Sequence, residues 1–340
     1  MMVSVIIPTF NRLNDLTMVL AALEKQTMDG FEVIIIDNGS TDGTQEAMLN
    51  RAKKKRVFDL SYHRKDPEGP AAARNVGMAR ARAPLVVFLD SDVELAPDWL
   101  ENAYRAMQTD PTLGAVGGQV RYANDADHLN AFGGAFSRIG LAWDRLEGAP
   151  IAAAHAPHDV FWMNCSAAMM RVAALAPTGG FDDRFFYAFE DSDVGWRLAL
   201  SGWRQQVLPE LWVLHHVGDT ITASSDAIVF HLTKNRLASF VANAGPRLMI
   251  LYLPILIAFT LIYAVLKPAR LARIRALWWN LTHLGGTLRR RRQVQRLRVV
   301  SDADLLFEDR LFPDVQLGGK RRRPNRVQSV DNTTLKDDRV

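Results

Sequence analysis

Cysteine is almost absent from this chain. Cys165 stands alone, so no disulfide forms within the molecule, and the composition suits a reducing compartment. Acidic residues are missing from one long stretch: between Lys267 and Arg298 lie ten Lys and Arg and no Asp or Glu. The net charge of +4 therefore hides strong segregation, and this segment accounts for the pI near 9.3. Long apolar runs are scarce too, with one exception at Leu248 to Leu266. The start of the chain has no basic, apolar and cleavable pattern of the secretory kind, and the catalytic part is expected on the cytoplasmic side.

What is present supports one large domain and an appendage, since 340 residues with 48% hydrophobic content can bury a sizeable core. The organising stretch is Leu85-Val86-Val87-Phe88-Leu89-Asp90-Ser91-Asp92. Its apolar run reads as a buried strand, bounded by Ala83-Pro84, that stops on two carboxylates. Ligands of α/β sheets gather where strands end. Two acids at such an edge repel unless something positive lies between them, and a divalent cation shared with diphosphate oxygens meets that need. A phosphatase-type D-x-D, with its first Asp as nucleophile, normally goes on to Thr or Val two residues later. Here Val93-Glu94 follows, so that match fails at its last position.

Upstream, Val3 to Ile7 is a strand ending at Pro8, and Leu16, Val19, Leu20 and Leu23 share a helix face. Phe31 to Ile36 is a second buried strand, stopping at Asp37-Asn38-Gly39-Ser40-Thr41-Asp42-Gly43-Thr44, a turn with helix-capping capacity. Val57 to His63 reads as a third strand, Ala71 to Ala83 as a helix and Trp99 to Met107 as the next. Strand, helix, strand, helix is the start of a right-handed parallel sheet.

Four segments, Ser4 to Arg12, Ile36 to Thr44, Ala73-Arg74-Asn75-Val76-Gly77 and Phe88 to Asp92, resemble in order the successive signatures of the family 2 inverting glycosyltransferases. The resemblance implies an α/β GT-A fold with a mixed, mostly parallel sheet, followed here by a C-terminal helical membrane-associating region. It implies that Pro8, Thr9 and Asp37 lie at the nucleoside and that Arg74 helps hold the nucleotide. Asp90 would lie nearer the ribose and diphosphate, and Asp92 would ligate Mg2+ or Mn2+.

Past Gly117-Gly118 the chain is loop-rich up to His158, where specificity is expected to reside. Phe161 to Arg171 reads as a strand. In Gly179 to Leu198 an acidic cluster precedes helical periodicity, and capping alone explains one or two of those acids. The cluster also resembles the family's acceptor pattern, an aromatic pair followed by Glu-Asp. By that likeness Asp191 is the general base, Glu190 its rival, and Trp162 and Glu190 stand on the acceptor side. Asp193 reads as a helix cap. Leu208 to His216 is a last strand, with His215 as a further metal ligand because the family often has His there.

The resemblance divides the chain into a catalytic domain at 1–235, with a nucleotide-sugar half (1–118) and an acceptor half (119–235). A basic and apolar helical region at 236–300 and a tail at 301–340, disordered from 318, complete it. Leu248 to Leu266 is long enough for a single span, but the basic block beyond it argues against export. A helix or bent hairpin completed by Ala276 to Leu288, with Trp278 and Trp279 at the interface, suits a peripheral or monotopic protein on the cytoplasmic leaflet. Arg289 to Arg292 would then meet an anionic membrane surface. Nucleic acid is not an expected partner, since the apolar run serves no purpose there. Processive synthases of the family carry a Gln-x-x-Arg-Trp motif that this chain lacks. The sequence thus points to a metal-dependent inverting transfer of one sugar from a nucleotide-sugar donor to a lipid-linked or envelope-glycan acceptor. The alternative is a non-catalytic nucleotide-sugar-binding scaffold subunit.

Overall fold

A computed structural model describes residues 1–53, 57–216 and 226–308. The tail expected to be disordered, including Lys320 to Pro324, lies outside the described residues.

The first half alternates strand and helix: β1 (Val3–Thr9), α1 (Leu13–Leu23), β2 (Phe31–Asp37), α2 (Thr44–Ala52), β3 (Asp59–Arg64), α3 (Pro70–Met78) and β4 (Leu85–Leu89). β1 pairs in parallel with β2 on one side and β4 on the other, and β2 pairs in parallel with β3. Every residue of β1, β2 and β4 is buried, as expected of apolar runs covered on both faces. In this register Thr9 lies beside Asp37, and Asp90 follows β4 directly, so three site residues sit at one sheet edge. α3 is shorter than the sequence suggests, ending at Met78.

The chain continues through β5 (Val93–Leu95), α4 (Trp99–Thr109), β6 (Leu113–Tyr122), β7 (Asp125–Phe132), β8 (Gly134–Phe136), β9 (Ala142–Asp144) and β10 (His158–Asp159). Then come β11 (Ala167–Arg171), α5 (Val172–Thr178), α6 (Glu190–Leu200) and β12 (Arg204–His215). The strand expected from Phe161 forms only from Ala167. The central sheet runs β10-β12-β6-β11-β4-β1-β2-β3, with β5 on β12, β7 on β6, and β8 and β9 forming a separate pair. β11 enters antiparallel between β4 and β6, so the sheet is mixed.

β12 carries Pro209 and shifts register against β6 between Leu208 and Trp212, the irregularity that a missing N–H imposes on a ladder. Gly118 faces this bulge, and a Cβ there would run into the Leu211 carbonyl. The strand ends where His215 pairs with Val93 and the His216 N–H bonds the Asp92 carbonyl at 2.9 Å. That docking brings the last strand's histidine to the acids after β4.

One apolar layer packs α1 and α4 against the sheet, and another packs α5 and α6 against its other face. A third cluster is aromatic, with Phe136, Phe161, Trp162, Phe189, Trp196, Phe240 and Phe307. It joins α6 to the C-terminal helices α7 (Asp226–Asn243), α8 (Pro246–Leu266), α9 (Arg270–Thr282) and α10 (Leu284–Leu297). The expected boundary at 235 falls inside α7.

α8 is one continuous helix despite Pro254, with a mean hydropathy of 2.5 over its most apolar window, of which 22% is buried. By length and composition it is the one helix among the described residues able to cross a membrane. The expected hairpin arm is broken at His283. Trp278 is exposed, but Trp279 turns inward to stack on His283 at 4.3 Å. The basic block also divides. Arg290 donates to the Gly180 carbonyl and Arg291 to those of Val241 and Ala244, closing the C-terminal turn of α7. Only Arg289 and Arg292 of the four are exposed, so the block is not a uniform lipid-facing patch.

Candidate active site

Arg74 sits at the centre. α3 begins after Gly69, whose φ of 88° suits glycine and whose missing Cβ lets the loop lie against the Phe186 carbonyl. Pro70 sits at the helix start, where its absent N–H costs nothing. From the buried face of α3 the Arg74 guanidinium reaches Asp90 Oδ1 and Glu190 Oε1, each at 2.9 Å. One side chain thus ties the acid after β4 to the acid at the start of α6. Burial opposes the charge on Arg74, but Asp90, Glu190 and Asp191 outweigh it and keep it cationic. The next residue, Asn75, pins the acceptor segment by exchanging hydrogen bonds with the Phe181 backbone, both at 2.9 Å.

Asp92 Oδ2 is held by Arg12 at 2.7 Å, and its Oδ1 faces His215 Nε2 at 3.6 Å. Burial works against its charge, yet His215 and Arg12 more than compensate and hold Asp92 below the usual carboxylate range. Asp90, by contrast, is pushed up, chiefly by burial and further by Asp92, against the pull of Arg74. His215 Nδ1 lies 2.9 Å from Asn130 Oδ1. Burial opposes the charge on His215, but Asp92 at its Nε2 and Asp90 beyond it raise it, which is how it supports the Asp92 carboxylate.

No group of three His, Cys, Asp or Glu side chains among the described residues is gathered closely enough to hold an ion unaided. Asp92 and His215 are a two-donor set. That fits a cation such as Mg2+ or Mn2+, which binds few protein groups and reserves its other positions for phosphate oxygens and water.

The turn leading into α6 is strained. Ala188 and Phe189 have φ of 65° and 72°, a region non-glycine residues rarely occupy, immediately before Glu190 and Asp191. Asn235 of α7, fully buried, holds this turn by donating to the carbonyls of Tyr187 at 2.8 Å and Ala188 at 2.6 Å. Burial pushes Asp191 up to about 8, with Glu190 and Asp144 adding to the shift and Arg74 opposing it. Its Oδ1 accepts from the Ser192 N–H at 2.8 Å, leaving Oδ2 free for a further donor. Asp144, bonded by Asn164 at 3.3 Å, is itself raised by burial to about 6.

These charges act on one another around a ring. Asp90 feels Asp92 and His215, His215 acts on Asp144, Asp144 acts on Asp191, and Asp191 returns to Arg74. Asp90, Asp144 and Asp191 are therefore linked electrostatically through Arg74 and His215. Carboxylates raised by burial beside a fixed cation are what general acid–base chemistry employs.

Other expected residues differ in placement. Thr9 is buried and its Oγ1 has no partner, as suits a group awaiting a ligand. Pro8 lies within the buried β1 ladder beside Ile36. Asp37 is fully buried, with Oδ1 accepting from Ser40 and Oδ2 from Tyr62 at 2.5 Å, so it organises its own turn. Trp162 is 5% exposed and donates to the Ala135 carbonyl, which places it in the core under α6 and not on an open acceptor surface. Asp193 does not cap. It pairs with Arg197 at 2.6 Å and accepts from Ser239 and Asn243, so α6 and α7 are bolted together through it.

Sequence reasoning missed Arg12, Asn130, Asp144, Asn164 and Asn235. Arg12 stands inside a quoted motif and was within reach. The spacing 235, 239, 243 was also a usable sign, a polar stripe along one face of α7.

Comparison with known proteins follows the same geometry. The profile described as "Glycosyl transferase family 2" matches residues 4–172. An N-acetylglucosaminyl-diphospho-decaprenol L-rhamnosyltransferase of Mycobacterium tuberculosis is 29% identical over 224 residues, covering 58% of this chain and 70% of that one. Among solved structures, GalNAc-T7 with UDP, GalNAc and Mn2+ superposes with a TM-score of 0.60 at 16% identity. The match covers 74% of this chain and 49% of that one. The mannosyltransferase PcManGT of Pyrobaculum calidifontis, with GDP-Man and Mn2+, gives 0.53 at 20% identity, covering 87% and 84%. These neighbours share the GT-A architecture, the fold of this chain.

Proposed function

The chain belongs to the family 2 glycosyltransferases, and from that premise we propose that it moves one sugar, with inversion, from a nucleotide-sugar donor to a lipid-linked or cell-envelope glycan. The observation that carries this reading is Arg74 bridging Asp90 and Glu190 at 2.9 Å each. It ties Asp90 of the D-x-D to Glu190 of the Glu-Asp pair through a single guanidinium, and this supports reading the two motifs as one site.

Asp191 Oδ2 takes the proton of the acceptor hydroxyl while that oxygen attacks the anomeric carbon from the face opposite the leaving diphosphate. Attack from that face inverts the centre, and no covalent enzyme intermediate forms. Arg12 and Arg74 present positive charge to the diphosphate, and Thr9 offers its unpaired hydroxyl to the nucleoside. Asp92 and His215 would hold Mg2+ or Mn2+, which when bound neutralises charge growing on the departing nucleotide. Glu190, committed to Arg74, orients and does not abstract.

The membrane part of the proposal rests on α8 and α9. Ile250, Val265, Leu266, Leu271 and Trp278 are each more than 65% exposed, a ridge too apolar to face water alone. Laid in the cytoplasmic leaflet, it brings a lipid-linked acceptor to the cleft.

Incubation with a panel of nucleotide sugars, beginning with activated rhamnose because of the rhamnosyltransferase relative, tests the activity. Release of nucleoside diphosphate that needs both acceptor and Mg2+ or Mn2+ is expected. Donor binding without release in the presence of lipid-linked acceptors would identify a scaffold subunit instead.

A further inference from the structure

The proposed reaction gives roles to the acids after β4 and at the start of α6 but none to a polar pair beside them, Asp144 and Asn164. Asp144 ends β9, opposite Gly134 of β8. The next residue is firmly held: the Arg145 N–H donates to the Gly133 carbonyl and its own carbonyl accepts from the Phe132 N–H, both at 2.9 Å. Its guanidinium pairs with Glu308 at 2.7 Å. A fixed backbone therefore presents Asp144, as a recognition group requires. Asp144 Oδ1 accepts from Asn164 Nδ2 at 3.3 Å, and its Oδ2 has no hydrogen-bond partner among the described residues. Both side chains are partly exposed, so a ligand can reach them.

Hydrogen bonds carry this pair to the nucleotide half. Asn164 Oδ1 accepts from the Ser166 N–H at 2.9 Å, an Asx turn, and the Ser166 carbonyl accepts from the Asp90 N–H at 3.0 Å. At the same turn the Ser166 hydroxyl is buried, with the residue 2% exposed, and has no partner among the described residues. A buried hydroxyl left unpaired beside a site marks a place for a ligand's polar group. On the other side β7 leads to the metal ligand: its Phe132 bonds Arg145, and its Asn130 lies 2.9 Å from His215. The charge of Asp144 is felt at Asp191, and that of His215 at Asp144. Asp144 and Asn164 thus stand between the residues assigned to the diphosphate and the proposed base.

A carboxylate oxygen that accepts and an amide with a further N–H to donate, side by side, suit neighbouring hydroxyls, since each hydroxyl both donates and accepts. Phosphate does not fit, because Asp144 would repel it. We propose that Asp144 and Asn164, with the Ser166 hydroxyl beside them, bind ring hydroxyls of the donor's sugar and so select which sugar is transferred. One hydroxyl donates to Asp144 Oδ2 while its neighbour accepts from Asn164 Nδ2. The inference rests on the glycosyl-transfer reading above and adds to it the residues that recognise the sugar.

The test is calorimetric titration of the full chain, in Mn2+, with UDP-N-acetylglucosamine, GDP-mannose and dTDP-rhamnose, each beside its nucleoside diphosphate. Asp144→Asn keeps an oxygen for Asn164 but puts an amide where Oδ2 accepts. For the sugar nucleotide that the wild type binds most tightly, its affinity relative to the matching diphosphate should fall about 10- to 100-fold, the loss of one hydrogen bond to a charged group. Affinity for the diphosphate alone should not change. Asn164→Ser, whose hydroxyl can keep the turn, should lower the same ratio about fivefold, and it carries the test if Asp144→Asn does not fold. Equal losses for the sugar nucleotide and its diphosphate would show a merely structural role and overturn the assignment. An unchanged ratio also overturns it, and an unchanged ratio with a raised KM for the acceptor moves the pair to the acceptor. Wild-type chain that binds neither sugar nucleotides nor diphosphates contradicts the glycosyl-transfer reading itself, a separate failure.

Discussion

In the proposed site, the nucleotide half and the acceptor half place their residues by different routes. In the nucleotide half each site residue closes a short contiguous motif, because a buried strand delivers whatever follows it to the sheet edge. Thr9, Asp37 and Asp90 arrive in this way from β1, β2 and β4. In the acceptor half the proposed site is assembled from residues far apart in the chain. Asn130, Asp144, Asn164, Asp191 and Asn235 come from β7, β9, a loop, α6 and α7, and each depends on packing that no local pattern encodes. The lesson is that a strand-end motif positions itself, whereas a strained turn needs a remote clamp.

The sharpest way to separate the halves is Asp191→Asn. Loss of the base should lower transfer by about 10²- to 10⁴-fold and leave donor affinity intact, measured as product formation beside nucleotide-sugar titration. The same change should raise thermal stability. A carboxyl held at about 8 when folded but near 3.8 when unfolded binds its proton more tightly in the folded state. Its contribution is present below 3.8 and drains away as pH climbs through 8. Transfer should rise over that same approach to pH 8, because the base must be ionised to act, and Asp191→Asn should remove the stability slope.

Arg74→Gln attacks both halves together. It leaves the buried Glu190 and the partly exposed Asp90 without their counter-charge, so unfolding in urea should show a loss of about 3 kcal/mol. A loss confined to donor affinity, with stability unchanged, would break the claim that Arg74 binds the two halves together.

Asn130→Ala tests the metal side. Without the carbonyl that orients His215, apparent affinity for Mn2+ in a donor-binding titration should fall about 10- to 100-fold while the acid pair at α6 is untouched. Asn235→Ala tests the other half. Two hydrogen bonds to the turn vanish, costing about 1–3 kcal/mol, and turnover should drop with donor affinity unchanged. Partial rescue by Asn235→Gln would not be expected of a position that merely fills space.

Much of the fold was legible because runs such as Val3–Ile7, Phe31–Ile36 and Leu85–Leu89 are too apolar to be anything but covered strands. The C-terminal region was less so. Arg290 and Arg291 read as surface charge, yet α10 carries Arg290 to the Gly180 carbonyl and Arg291 to the end of α7, and a carbonyl needing a donor leaves no mark in sequence. Trp162 looked like a substrate platform, yet Gly134 and Gly195 leave room for it beneath α6, and only packing reveals that. Asp193 looked like a cap because acids at helix starts usually are. The Ser239 and Asn243 that claim it lie 46 and 50 residues away.

The central claim is that the acids after β4 and the acids opening α6 serve one sugar. A crystal structure of the chain with its donor sugar nucleotide and Mn2+ tests it most directly. The diphosphate should lie at Asp92 and His215, and the anomeric carbon should open toward Asp191 across a gap of about 3–3.5 Å for each reacting contact, enough for one acceptor hydroxyl. A donor whose sugar points away from α6, with Asp191 sealed in a separate cavity, would contradict the account.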